Sequence, residues 1–441
     1  GPYMATSFLA ISSYMSAAPL NPNYKSEEFE FYLEDLKPKI VIVEKNSKNP
    51  VVEVANKLKI PVCEIKSDGN NLSGDFNLFE KSSDYVLPGE DHEALVLHTS
   101  GTTSRPKIVP LTNKNIFSSA DNISKSLNLT DKDHCLNIMP LFHIHGLIAV
   151  LAASMKVGAS VCASSGFNAL KFLDNAKREK ITWYSGVPTM HQAILMRADK
   201  NLETAKQLNL RFLRSSSASL PPAVFEKLNE VFNCPVIEAY GMTEATHQMT
   251  SNPLPPKSQK PGFVGIPAGP EVCIMDTNNK ILNQGEEGEV CIRGENVTSG
   301  YENNPDANKN SFSNGWFRTG DQGYFDKDGY LKISGRLKEI INKGGEKISP
   351  LEVDNILMDH PNIEQAVCFG YEDKMLGEDI ATAIIIKEGM KCTEDDIKIY
   401  ANEKLAKFKI PKKIFFVNEI PKGATGKLQR NTLAKKFGLV N

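Results

Sequence analysis

The stretch LHTSGTTSRPKIVPLT, residues 97–112, sets a serine, a glycine, two threonines and a second serine in one turn, then an arginine, a proline and a lysine. Glycine lets backbone N–H groups converge on an anion, and hydroxyls add donors. Flanked by the strand-like runs ALVLH and KIVPL, TSGTTS therefore suits phosphate. A Walker loop would need a second glycine before the lysine and a helix after it. Here Pro106 precedes Lys107 and a β-like run follows. The turn is a phosphate loop of another kind, or an ordinary Ser/Thr/Gly loop.

On the N-terminal side, Ser26 and two glutamates open a helical pattern with Phe29, Leu33 and Leu36 on one face, ended by Pro38. KIVIVE reads as a strand, VVEVANKLK as a helix and IPVCEI as another strand. On the C-terminal side the alternation continues through DHCLNIMPL, ALKFLDNAKREK, ITWYSGV, RFLRSSS and PVIEAYG, as in a parallel-sheet protein. From about residue 262 to 334 the texture changes to short strands with Gly and Asn turns, which predicts a β-rich subdomain. Past SGRLKEIINKGGEKISP, Ser349-Pro350-Leu351-Glu352 joins a capping box to a proline at the first helical position. Two strands, a helix from Thr393 and the strand KKIFFV then complete a small α+β unit.

The fold class expected is thus α/β: a large N-terminal domain of αβ-layered sheets with a β-rich subdomain, residues 1–336, and a small mobile α+β domain, residues 337–441. A chain of 441 residues, 41% hydrophobic, can bury more than one core. Net charge is −2, which argues against a nucleic-acid or anionic-membrane partner. Eight cysteines without C-x-x-C spacing fit reduced thiols better than disulfides or zinc. No basic leader precedes an apolar core, LIAVLAASM is cut short by Lys156, and the chain ends FGLVN without a targeting tripeptide. A soluble, cytoplasmic protein is expected. Residues 404–436 carry ten lysines and arginines against one acid, Glu419. Such a run is either a solvated face or an attractor for a polyphosphorylated ligand.

TSGTTSRPK, EAYGMTEAT, GEV, WFRTGD, SGRLKEIINKGGEKISP and PKGATGK occur in this order. Together they resemble the signature motifs of the adenylate-forming superfamily, which holds acyl-CoA synthetases and luciferase-like enzymes. The resemblance spans the chain, although relatives carry some tens of residues before the part matching Gly1, so it implies an N-terminally shortened large domain. It implies ATP, Mg²⁺ and coenzyme A: a carboxylate attacks the α-phosphate to give an acyl-adenylate and pyrophosphate, and a thiol then displaces AMP.

On that resemblance Thr99, Ser100, Gly101, Thr102, Thr103 and Lys107 wrap the outer phosphates, Thr243 contacts the α-phosphate and Glu244 holds the metal. Ser217, Ala218 and Ser219, in place of Gly-Ala-Pro, flank the adenine together with Glu238, Ala239 and Tyr240. Asp321 accepts the ribose hydroxyls and Arg336 supports ribose and phosphate. Lys427 bridges the carboxylate and the α-phosphate. The small domain then pivots at Lys338, withdrawing Lys427 and presenting Gly344 and Gly345 to the CoA arm. Read from the residues alone, Glu244 is equally a surface acid and Asp321 a turn former.

The pair His143 and His145 in PLFHIHGL lacks a third ligand at metal spacing. By resemblance the PLFH position, with His143, gates the acyl pocket, and residues after the TE pair, such as His247, line it. A pocket ringed by His143, His145, His247, Ser215 and Ser216 suits a small, doubly charged acid. A second carboxylate cannot be buried without partners, and histidine can become cationic beside it. EAYGMTEATHQMTSNPLPP, KPGFVG, IRGENVTSGY and NKGGEKISPLEVD closely resemble the oxalate–CoA ligases of plants and fungi, which implies oxalate. A ligase for a fatty or aromatic acid is the alternative. A weakly active or non-catalytic nucleotide-binding relative is another, because Ser104 and Ile108 stand where glycines are usual.

Overall fold

In a computed structural model, which describes residues 1–65, 86–99 and 106–439, the chain forms five sheets. A small parallel pair, β1 (Val41–Glu44) and β2 (Val62–Ile65), is spanned by the helix Val51–Lys57. The antiparallel ribbon β3 (Glu93–Thr99) and β4 (Lys107–Thr112) pairs Thr99 with Lys107 at its mouth. Ser100 to Arg105, Ser104 included, lie outside the described residues. Ile108 is buried in the core beneath the ribbon, so a large side chain is accommodated where relatives have glycine.

The central sheet has seven strands: β5 (His134–Asn137), β6 (Ser160–Ala163), β7 (Trp183–Gly186), β8 (Phe212–Ser215), β9 (Val236–Met242), β10 (His247–Ser251) and β11 (Ile266–Pro267). The spatial order is β11-β10-β9-β8-β7-β5-β6, with the five strands β5 to β9 parallel. Helices Ala169–Glu179, Pro188–Ala198 and Pro222–Phe232 cover one face, burying Phe172, Ile194 and Leu228 against Tyr184 and Leu213. Asn113–Ser126 and the segment His145–Lys156 cover the other, where Ile123 and Leu147 meet Trp183 and Phe212. These faces alternate along β7 and β8 because successive strand residues point to opposite sides. LIAVLAASM is the buried core of this second layer, wound as a π-helix over His145–Ala152 and finished by an α-turn, Ala153–Lys156. Being apolar on every side, it gave no periodicity to read.

The β-rich region is an antiparallel sheet of β12 (Glu271–Met275), β13 (Gly288–Arg293), β14 (Phe312–Ser313), β15 (Trp316–Phe325) and β16 (Leu331–Arg336). The smaller C-terminal domain is built on β17 (Ile341–Lys343), β18 (Glu346–Ile348), β19 (Ile363–Asp373), β20 (Gly377–Ile386) and β21 (Lys413–Phe416). Ser349 caps the helix Pro350–Met358 and Thr393 caps Glu394–Lys404. Both helices pack on one face of that sheet through Val353, Leu357, Ile397 and Ala401.

The basic run is neutralised in part. Lys409 pairs with Glu352, Lys412 with Asp373 and Asp379, and Arg430 with Asp354 and Glu339. For these three cations the reading as a polyphosphate attractor is corrected: acids distant in sequence already neutralise them. The start of the chain, Pro2–Ser12, is a helix that buries Phe8 in the core around β3 and β4. No described helix is long and apolar enough to cross a membrane. Replacing fully buried Leu228 with alanine should cost about 2–5 kcal/mol through the cavity left under the sheet. A calorimetric melt would show the large domain's transition falling while the small domain's stays in place.

Candidate functional site

Strand β5 has β6 on one side and β7 on the other, so the connection from β5 to β6 and the next, from β6 to β7, run in opposite directions across the sheet. In open α/β sheets ligands occupy the crevice at such a switch point, off the carboxyl ends of the strands. Most of the residues singled out in the sequence gather there. After β5 come His143 and His145; at the end of β7, Ser185; after β8, Ser215 to Ser219; at the end of β9, Tyr240, Thr243 and Glu244; and His247 opens β10.

One wall carries imidazoles. His145 is fully buried, with Nδ1 3.0 Å from Ser217 Oγ and Nε2 2.6 Å from Ser185 Oγ. His247 lies against it, ring centroids 4.9 Å apart, and neither of its ring nitrogens has a partner among the described residues although it is buried. The His145 backbone N–H donates to His143 Nδ1 at 3.2 Å, which leaves the His143 proton on Nε2. Burial, and after it Lys427, presses the His143 pKa down to about 3. Burial drives His145 and His247 well below the usual histidine value, and Arg214, His143 and Lys427 push the same way. Burial thus favours the neutral form of all three rings, and the cationic side chains beside them are Lys427 and Arg214.

The sequence reading missed Arg214, a residue of β8 inside RFLRSSS. Its side chain is fully buried, donating to Gln248 Oε1 at 3.2 Å and reaching Ser185 Oγ at 3.5 Å. No carboxylate pairs with it among the described residues, and burial lowers its pKa to about 9. A polar residue in a short strand carries no distinguishing pattern in the sequence.

The opposite wall carries oxygen and cationic groups. Buried Glu244 accepts from Tyr301 OH at 2.8 Å, and Lys107 stands over the Tyr301 ring, 4.2 Å from its centroid. Burial raises the Glu244 pKa against the pull of Lys107 and Arg336. Asp321 accepts from Tyr240 OH at 2.5 Å and pairs with Arg336 Nε at 3.2 Å, its cross-strand neighbour. A carboxylate has about four acceptor positions, so Asp321 keeps capacity beyond those two.

Three predicted residues have other employment. Glu238, 1% exposed, accepts from the Leu220 N–H at 2.9 Å, with burial lifting its pKa to about 8. Ala239 is buried in β9, and the Ser216 hydroxyl donates to its carbonyl at 2.8 Å. Ser215 Oγ is buried at the strand end without a partner, while Ser217 to Ser219 border the crevice half-buried or exposed.

Lys427 arrives from the small domain on PKGATGK, a hairpin closed by Gly423 N–H to Lys427 O at 2.7 Å. The hairpin docks where Thr189 Oγ1 donates to Gly426 O at 2.8 Å. Gly426 has φ +82°, and a Cβ there would stand 3.2 Å from Val187. Burial, helped by Arg336, lowers the Lys427 pKa to about 8, while Asp321 and Glu244 oppose it. Gly344 and Gly345, both at positive φ, form the exposed turn between β17 and β18 and do not join the crevice. Lys338 is exposed in the short link between β16 and β17. Gly241 was not singled out, yet a Cβ there would fall 1.8 Å from the His247 carbonyl oxygen. His247 itself sits at φ +96° and Thr246 at +48°.

A doubly wound sheet with Lys107, the acids Glu244 and Asp321 and a lysine-bearing small domain at its switch crevice defines a nucleotide-dependent acid-activating class. The chain belongs to the AMP-binding enzyme family: that family matches residues 1–302, and the AMP-binding enzyme C-terminal domain matches 352–427. It is 48% identical over 439 residues to the oxalate–CoA ligase of Arabidopsis thaliana, covering 98% of this chain and 85% of the plant protein. With the oxalate–CoA ligase of Saccharomyces cerevisiae it shares 44% identity over 448 residues, 95% of this chain and 82% of the yeast protein. The fold matches that of O-succinylbenzoate coenzyme A synthetase from Bacillus subtilis, solved with ATP and a magnesium ion, with TM-score 0.81 and 29% identity over 98% of this chain and 86% of that one.

Two outcomes test this geometry. Gly241→Ala should cost at least about 1–3 kcal/mol through overpacking, read as a lowered melting temperature. Acid should also destabilise the fold. His143 and His191, with pKa values near 3 and 4, bind protons in the unfolded chain from about pH 6.5. Their stabilisation is full above that pH and lost as pH falls toward 3. His191→Gln should flatten the decline of melting temperature between pH 6.5 and 4; an unchanged slope would contradict the assignment.

Proposed function

We propose that the protein joins oxalate to coenzyme A at the expense of ATP, through an oxalyl-adenylate, releasing pyrophosphate and then AMP. The observation that carries the acid is a crevice holding two cationic side chains, fully buried Arg214 and half-buried Lys427, beside His247, an imidazole with no partner among the described residues. Such a pocket is built for negative charge, and it is too polar for a fatty tail. The two oxalate–CoA ligases similar along nearly the whole chain support the same reading.

In this reading Thr99, Lys107 and the hydroxyls between them hold the β- and γ-phosphates. Asp321 takes the ribose hydroxyls beside Tyr240 and Arg336, Ser217 to Ser219 border the adenine, and Thr243 meets the α-phosphate. Glu244 is a buried carboxylate with no ion-pair partner among the described residues, which fits Mg²⁺, a hard cation bound by one or two carboxylates and phosphate oxygens. The metal, when bound, neutralises phosphate charge. Lys427 lies among Glu244, Asp321 and His143, placed to stabilise charge as the carboxylate attacks the α-phosphate. This is electrostatic catalysis without a covalent enzyme intermediate. After pyrophosphate leaves, residues 337–441 turn at Lys338. Lys427 withdraws and the Gly344-Gly345 turn comes to the CoA arm, glycine permitting close backbone approach. Buried thiols at Cys135, Cys234, Cys291 and Cys368 suit a reducing, cytoplasmic setting.

Pyrophosphate release with oxalate, malonate, acetate, octanoate and benzoate tests the substrate. Oxalate should give the highest kcat/KM, and a response to octanoate or benzoate without one to oxalate would overturn the proposal. Lys427→Ala should lower adenylate formation about 10²–10³-fold and spare thioester formation from supplied oxalyl-AMP. In the intact enzyme kcat/KM for adenylation should decline as pH rises through about 8, where Lys427 loses its proton.

A further inference from the structure

Arg214 is buried with no acid to neutralise it, an arrangement that normally costs a protein several kcal/mol and is kept only where something answers the charge. Its contacts run in one direction. Guanidinium nitrogen can only donate, so Ser185 Oγ accepts from Arg214 Nη1. Among the described residues the one acceptor in reach of the Ser185 hydroxyl proton is His145 Nε2, 2.6 Å away. With Nε2 accepting, the neutral ring carries its proton on Nδ1 and donates to Ser217 Oγ at 3.0 Å. The Ser217 hydroxyl then has its own proton left, and no acceptor for it among the described residues.

Ser217 is also strained. Its φ of +73° belongs to the left-handed region, where a non-glycine residue costs about 1–3 kcal/mol. It is half-buried at the border of the crevice, with β9 between its strand and that of His247, whose ring nitrogens have no partner among the described residues. Two independent features, a strained serine and an orphan imidazole, face the same space.

We propose that Arg214 is a positioning residue for acid choice: through Ser185 and His145 it polarises the Ser217 hydroxyl as a donor to the second carboxylate of a dianionic acid, and its uncompensated charge favours that dianion over a monoanion. This rests on the reading of the protein as a ligase of a small dicarboxylic acid. The relay lies wholly on the sheet face opposite Leu213 and touches no group assigned to ATP except Ser217.

The test compares kcat/KM for the best dianionic acid with that for its singly charged counterpart, glyoxylate for oxalate or propionate for malonate, measured by pyrophosphate release. Ser185→Ala interrupts the relay while keeping the buried charge and removing only one oxygen. Arg214→Met removes the charge, and Arg214→Lys restores it. Ser185→Ala and Arg214→Met should lower the dianion-to-monoanion ratio about ten- to a hundredfold, the range for a hydrogen bond to a charged group. The loss should fall on KM for the dianion, with KM for ATP within twofold and Arg214→Lys recovering part of the ratio. A purely structural role would depress both acids and ATP together. Should Arg214→Met fail to fold, Ser185→Ala with Arg214→Lys decides. If the wild type prefers a dianion and the ratio is unmoved in Ser185→Ala, the relay is overturned while the ligase reading stands. A wild type that prefers monoanions overturns both.

Discussion

The order of the central sheet places β5 between β6 and β7, and everything chemical in the molecule follows from that placement. A chain that winds right-handed to one side and then the other leaves a gap between its crossovers at the carboxyl ends of the strands. Side chains at those ends lie between the two crossovers, so the gap is where hydroxyls, imidazoles and carboxylates can converge. The antiparallel pair β9 and β10 extends the same edge, which is how Glu244 and His247 come to lie across from the groups that follow β5 and β8.

The small domain supplies the remaining cation by a different route. Lys427 is held on a hairpin whose docking contact is a main-chain carbonyl, that of Gly426, and whose base is tied by Arg430 to Asp354, Glu339 and the Cys368 carbonyl. The lysine is therefore tied to the sheet of its own domain. Its lowered pKa comes from being carried into the other domain's interior, and so belongs to the docked arrangement.

Much of the fold was legible because its local signals agree with its tertiary use. The capped helices after Ser349 and Thr393, the alternation through β5 to β9, and the texture change into β12 to β16 each express a period or a cap that packing then uses. The π-helical segment was illegible because an evenly apolar run has no face. The helix Asn113–Ser126 begins directly at the end of β4 with only its Thr112 and Asn115 cap to announce it. In the site, motif residues such as Glu244, Asp321 and Lys427 were found by resemblance. Arg214 and Ser185 were not, because their significance is a matter of which neighbours are missing, and a sequence does not display missing neighbours. Three cations of the basic run, Lys409, Lys412 and Arg430, were illegible for the complementary reason: their counter-charges on Glu352, Asp379 and Asp354 lie at least thirty residues away.

Ser217 carries a consequence for how such a pocket can change over time. A glycine would relieve the left-handed backbone there and leave the surrounding strands as they are. Random drift toward a sturdier molecule therefore pulls toward glycine, against the hydroxyl that His145 holds. Folding comfort and the ligand discrimination proposed for Ser217 therefore pull in opposite directions at this one residue.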